Sequence, residues 1–326
     1  MSRLYLLGGR QKDFFFRREK EWNLYDTALI LEVDTESGVV RTCVEHKTPA
    51  EAGAGENPSS QFKSGTRVGS NLYACTNTEV LIYRVPDFER LDYVSLPCFN
   101  DLHHVMPAQD TGTLLAASTG LDMVVRFTPQ GQVLEEWDTL QEPIWTRFSR
   151  EVDYRKIATT KPHRSHPNFV FELDRQLWVT RFNQRDALCL SDPGKRIEIG
   201  IEAPHDGIVT GGRIYFTVVD GRLVVVDSTT RKVERIVDLK TMEGSRPVLG
   251  WCRGVLPISK ELLWVGFTRV RKTRWDQNVL WLRGKEGFTA GPTHIALYDI
   301  SRDRCLQQIE LERHGLGVIF SILPAE

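Results

Sequence analysis

Nowhere do the 326 residues of this chain hold an apolar run long enough to cross a bilayer as a helix, so a membrane is not expected as a partner. A dominant charge is missing too. Lys and Arg number 42 against 43 Asp and Glu, and nothing global in that balance points to nucleic acid. The six cysteines, Cys43, Cys75, Cys98, Cys189, Cys252 and Cys305, form no close pairs, which argues against a disulfide framework or a zinc knuckle and fits a reducing compartment. The opening MSRLYLLGGRQKDFFFRREKEW turns charged almost at once and lacks a secretory pattern, so a cytoplasmic location is expected. Familiar catalytic signatures are lacking as well. There is no G-x-S-x-G elbow, no H-E-x-x-H and no Walker loop, and Gly8-Gly9-Arg10 lacks the spacing of a nucleotide fingerprint.

What the chain does have is a repeated strand unit. DLHHVMPAQDTGTLLAASTGLDMVVRFTPQGQVLEEWDTL (101–140) reads as four short strands, with Asp, Gly and Pro at the turns and Val, Leu and Phe on a pleated surface. The same landmarks place units at 63–98, 102–140, 166–202, 205–240 and 252–312, and a sixth, split unit joins 315–324 to 3–45. Joining the ends closes a ring and removes exposed sheet edges. The expectation is an all-β single domain, a six-bladed β-propeller of four-stranded antiparallel blades closed by its own termini. Such a ring gives no hint of an oligomer surface.

Unequal spacing between units locates insertions at 10–27, 46–62, 141–165 and 269–291, all expected on one face, and long loops on a rigid scaffold commonly carry function. Three of them are rich in Arg and aromatic residues. From this rim and the strand ends beside it, Arg147, Arg181, Arg269, Arg271 and Trp275 are candidate contacts to an anionic small molecule, because a guanidinium holds an acid group with paired hydrogen bonds. Solvated loop arginines are the alternative.

Histidines mark the starts of the axial strands, in DLHHV, SHPNF and PHDGI, with Cys252 and Arg253 at the aligned place in WCRGV. Neutral imidazoles converging from several blades suit a divalent metal ion (Zn, Fe, Mn or Cu), with His104, His166 and His205 as the expected ligands and His103 or His294 behind them. Strand alternation alone does not decide between His103 and His104. Asp101 and Asp206 are the nearest candidates to orient the rings, and His205, Cys252 and Arg253 are the candidate catalytic groups. His46 and His163 read as loop residues, and Asn183 and Asp220 as minor candidates at strand ends.

Segments such as TGLDMVVRFTPQGQVLEEW, RQLWVTRFNQRDALCLSDPGK and GRIYFTVVDGRLVVVDSTTRKV resemble the repeats of the NHL, SMP-30/gluconolactonase and streptogramin-lyase group of β-propellers. In the SMP-30 branch a central calcium is held by Glu and Asn or Asp. This chain has histidines at the axial positions instead, so that activity is not carried over. The streptogramin lyases, with histidine and a divalent cation near the channel, are closer in chemistry. The resulting expectation is a metal-dependent enzyme of lyase or hydrolase type, oxygen chemistry included, acting on an anionic small molecule or peptide-like compound. The competing expectation is a non-catalytic propeller whose rim binds a partner protein or glycan.

Overall fold

The computed structural model describes residues 2–12, 24–109, 111–244, 248–270 and 291–326. The chain opens with β1 (Arg3–Gln11), β2 (Tyr25–Asp34) and β3 (Val40–His46). Blade one is β4 (Thr66–Val68), β5 (Asn71–Cys75), β6 (Val80–Arg84) and β7 (Glu89–Val94). Blade two is β8 (Leu102–Pro107), β9 (Leu114–Ser118), β10 (Met123–Phe127) and β11 (Val133–Asp138). Blade three comprises β12 (Pro167–Leu173), β13 (Gln176–Arg181), β14 (Asp186–Cys189) and β15 (Arg196–Glu198). Blade four comprises β16 (Pro204–Thr210), β17 (Arg213–Val218), β18 (Arg222–Asp227) and β19 (Val233–Asp238). Blade five holds β20 (Trp251–Pro257), β21 (Leu262–Thr268), β22 (His294–Asp299) and β23 (Arg304–Glu310), after which comes β24 (Val318–Pro324). β24 pairs antiparallel with β1, Tyr5 opposite Leu323 and Gly9 opposite Val318, giving blade six the order β24-β1-β2-β3. Six four-stranded antiparallel sheets thus form a six-bladed propeller closed by strands from both ends of the chain.

Blade six shows why its first strand reads as a continuous apolar run. Leu4 and Leu6 pack towards blade five, against Trp264 and Ile295, while Tyr5 and Leu7 face blade one, against Leu72 and Tyr83. Alternation persists, but both faces are covered, so neither position can be polar. Each of the six blade interfaces has its own apolar cluster of this kind. Outer strands such as β11 and β19 turn polar because one side meets water. Turns follow local chemistry: Asp34 Oδ1 accepts the N–H groups of Glu36 and Ser37, and Gly38 supplies a φ of 73°.

The innermost strands share an irregularity that positions the site. Pairing shifts by a residue or more near the start of β8, β12, β16 and β20, and between Leu7 and Gly8 where β1 meets β24. Left-handed backbone accompanies four of these shifts, at Asp101 (φ 47°), His166 (φ 57°), Asp206 (φ 61°) and Gly254 (φ 77°). A bulge re-aims the side chains that follow it, so simple alternation fails where the strands reach the channel mouth.

Candidate functional site

Six side chains, one from each blade, gather at that mouth. Lys63 leads into β4, His103 lies in β8, His166 precedes β12, His205 lies in β16, Arg253 in β20 and Phe320 in β24. Ring centroids of His103 and His166 are 4.9 Å apart, those of His166 and His205 6.4 Å, and those of His103 and His205 6.5 Å. Across from them, Lys63 Nζ lies 4.7 Å and the Arg253 guanidinium 5.0 Å from the Phe320 ring centroid. Phe182 wedges between His166 (4.9 Å) and His205 (5.4 Å). Above this ring opens a cavity of about 1190 Å³, lined by all of its members except the more deeply buried His205. The walls come from 53–59 and 155–163, two of the expected insertions. Leu24 and Tyr25 line it at the edge of a third, and Arg269 at the edge of the fourth.

Burial and neighbouring cations govern ionisation here. The imidazole of His103 is pushed down to about 3 by burial, with Lys63 and Arg253 adding to the effect against the opposing pull of Asp101. Burial also drives His166 and His205 well below the usual histidine range, Arg253 adding to the shift at His205. All three rings are therefore neutral near pH 7. Lys63 is lowered by burial and by Arg253, yet it bonds Asp101 Oδ1 at 3.1 Å. Burial would raise Asp101, but the charge of Lys63, with Lys161 beside it, outweighs that and holds the carboxylate well below its ordinary value. His103 Nδ1 donates to the Asp101 carbonyl at 2.8 Å, so its Nε2 carries the free lone pair. His166 Nδ1 meets His163 Nδ1 at 3.1 Å, and the Nε2 atoms of His163, His166 and His205 are buried with no partner among the described residues. Leaving such an atom unsatisfied costs about 1–3 kcal/mol, which marks the ring as a place for a ligand or water.

Several expected site residues are placed elsewhere. His104 faces the blade interface: it stacks on Phe169 at 3.7 Å, its Nδ1 accepts the Val170 N–H, and its Nε2 donates to Thr66 Oγ1. With both nitrogens used it has nothing left for a metal, and His103 holds the inward position. His294 stacks on Phe267 and bonds the Pro292 carbonyl, away from the ring. Cys252 is fully buried in the core between blades four and five, where burial drives its thiol well above the ordinary range. A nucleophilic thiolate has no support in that setting. Arg147 bridges Asp122 (3.0 Å) and Asp138 (2.7 Å), and Arg181 is buried on Asp186 and the Thr139 carbonyl. Neither faces the cavity, because each neutralises a carboxylate inside the fold. Arg269 lines the cavity but is forked onto Glu312 at 2.7 and 2.6 Å. Arg271 and Trp275 lie outside the described residues. Asp206 accepts from Thr217 and the Gly254 N–H (3.0 Å), tying blade four to blade five, and is raised to about 6 mainly by burial. It does not orient His205. Asp220 is a turn residue on Arg222, while Asn183 lines the cavity and donates to the His163 carbonyl.

Among the described residues, no three His, Cys, Asp or Glu side chains are arranged to hold a metal ion. The expected triad does not fit as placed, since His104 points into the fold with both ring nitrogens bonded.

Sequence reading passes over three groups that the structure brings in. Lys63 serves there only as a landmark, and His163 only as a loop residue. Asp122, buried at the turn between β9 and β10, accepts the backbone N–H groups of Arg164 (3.0 Å), Ser165 (2.9 Å) and His166 (2.9 Å) as well as Arg147. It holds the end of the 141–165 insertion and so fixes where His163 and His166 sit. Nothing local in TGLDMV signals this, because its partners lie some forty residues on. The spacing His163-x-x-His166 is the one visible hint.

No protein-family model and no curated protein matches the chain. A crystal structure of a protein of unknown function from Bacteroides caccae is similar over 99 % of this chain and 98 % of its own, with a TM-score of 0.62 at 14 % identity, which shows a shared fold. A catalytically inactive virginiamycin B lyase from Staphylococcus aureus, determined with quinupristin, is similar over 73 % of this chain and 69 % of its own, with a TM-score of 0.47 at 14 % identity.

Proposed function

We propose that the channel mouth is the active site of an enzyme of lyase or hydrolase type acting on an anionic small molecule. The observation that carries this reading is the composition of the ring, in which two cations flank Phe320 and neutral imidazoles stand opposite. Lys63 and Arg253 would hold the acid group with charge-assisted hydrogen bonds. His103 Nε2 is then the proton acceptor, since its Nδ1–H is anchored on the Asp101 carbonyl. The imidazolium that forms would lie 3.7 Å from the Asp101 carboxylate. Substrate charge also prepares the base: neutralising Lys63 and Arg253 removes two of the influences that depress His103.

A set of small carboxylates and phosphates, followed by thermal shift and calorimetry, tests this reading. Binding that is lost in Arg253→Met and Lys63→Met, with folding retained, supports it. A protein that binds none of them, or binds them equally well in both variants, points instead to the non-catalytic interaction module. Metal content of the purified protein, alongside His166→Ala and His205→Ala, tests the metal-dependent form. Stoichiometric metal lost in both variants would replace the metal-free scheme above.

A further inference from the structure

A second recess lies between blades one and two, at the other end of β8 from His103, and shares no residue with the channel mouth. It holds about 250 Å³, room for one small molecule. Tyr73 in β5, Ile82 in β6 and Asp92 in β7 stand directly opposite one another in the sheet of blade one and form a row along it. Leu114 of blade two packs with Tyr73 and Ile82 in one apolar cluster, and Leu91 adds a side chain that is 46 % exposed.

Asp92 is the one charged side chain among the described residues that line this recess. Its Oδ1 accepts the N–H of Tyr93 at 2.8 Å, and it makes no ion pair with a described residue. The cations nearby in sequence and sheet are turned elsewhere. Ile82 pairs with Asp92 but Tyr83 with Arg90, so the shift at Leu91 sends Arg90 to the other face, 5.9 Å from the Tyr93 ring centroid. Arg126 of blade two holds Glu135 at 3.0 Å. A half-buried carboxylate among apolar side chains favours a counter-cation that brings its own hydrocarbon.

We infer that this recess binds a small organic monocation, with its ammonium group on Asp92 and its aliphatic stem crossing Ile82 towards Tyr73. Two strand spacings separate Tyr73 from Asp92, roughly 10 Å, which suits a stem of about five carbons. A docked protein would need about 800 Å² of its surface covered, far more than so small a hollow offers, and a free amine is the better match.

Five-carbon probes with different heads test the inference on the full chain, followed by methyl NMR at Ile82, Leu91 and Leu114: n-pentylamine, n-pentanol and valerate. N-acetyl-lysine N-methylamide carries the same ammonium on a peptide unit. Expected is pentylamine binding about fivefold tighter than pentanol, with valerate weaker still and the advantage shrinking as salt is raised. Asp92→Asn keeps the shape and should erase that advantage. Should it fail to fold, Leu91→Ser, at an exposed position, should weaken pentylamine and pentanol alike. Equal affinity for pentylamine and pentanol, or shifts confined to methyl groups outside the recess, overturns the inference. Tighter binding of the lysine derivative than of pentylamine overturns the free amine in favour of a partner's side chain.

Discussion

His103 and His104 are neighbours in sequence with opposite fates, one at the channel mouth and one sealed between blades. The bulge at the start of β8 decides which is which, and a bulge is a three-dimensional event that alternation cannot foretell. His166, His205 and Arg253 were legible because each follows a recognisable entry pattern. Cys252 shares that pattern but lies one residue from Arg253 and faces the other side. Two expectations belong to this scale. His104 titrates near 6.5 when unfolded but only near 3 when folded, so below about pH 6.5 the unfolded chain takes up a proton that the native state refuses. Stability is therefore full above that pH and falls on acidification. Urea titrations of His104→Gln should show a pH slope shallower by about 1.4 kcal/mol per pH unit between roughly pH 6 and 4. An unchanged slope would mean that His104 titrates in the native state. Cys252, for its part, should resist iodoacetamide in the native protein, and Cys252→Ala should cost about 1–2 kcal/mol of stability while leaving ligand affinity unchanged. Rapid native labelling of Cys252, followed by peptide mass analysis, would reinstate it as a reactive thiol.

Ion pairs between elements supply much of what the sequence hid. Arg147 and Arg181 look like free rim cations until the carboxylates of Asp122, Asp138 and Asp186 come into view, and those partners are set by packing. Asp122 is the clearest case, a single carboxylate that gathers three consecutive N–H groups and an arginine. Asp122→Asn keeps the shape but turns an acceptor into a donor, opposing N–H to N–H. Breaking so buried a charged network should cost about 3 kcal/mol in chemical denaturation. The His163–His166 contact should loosen as well, seen as altered imidazole resonances by NMR. A variant with unchanged resonances would show that packing alone places the pair.

Repeated strand units and matching chain ends made the six-bladed ring readable, because edge closure is a topological demand that the pattern itself states. The side chains lining its mouth were harder to foresee, since they depend on register shifts at five of the six innermost strands. Removing residues 318–324 would take away β24, leave the β1 edge bare and delete Phe320. The truncated chain should lose cooperative unfolding or self-associate through that edge, as size-exclusion chromatography and thermal melts would report. A monomeric, cooperatively melting product would show that ring closure is dispensable. One further property follows from taking a single mouth residue from every blade. No blade can open without dismantling the site, so a molecule seated there favours all six sheets at once through mass action. Hydrogen exchange in its presence should slow around the whole circumference, and not only in the strands it touches.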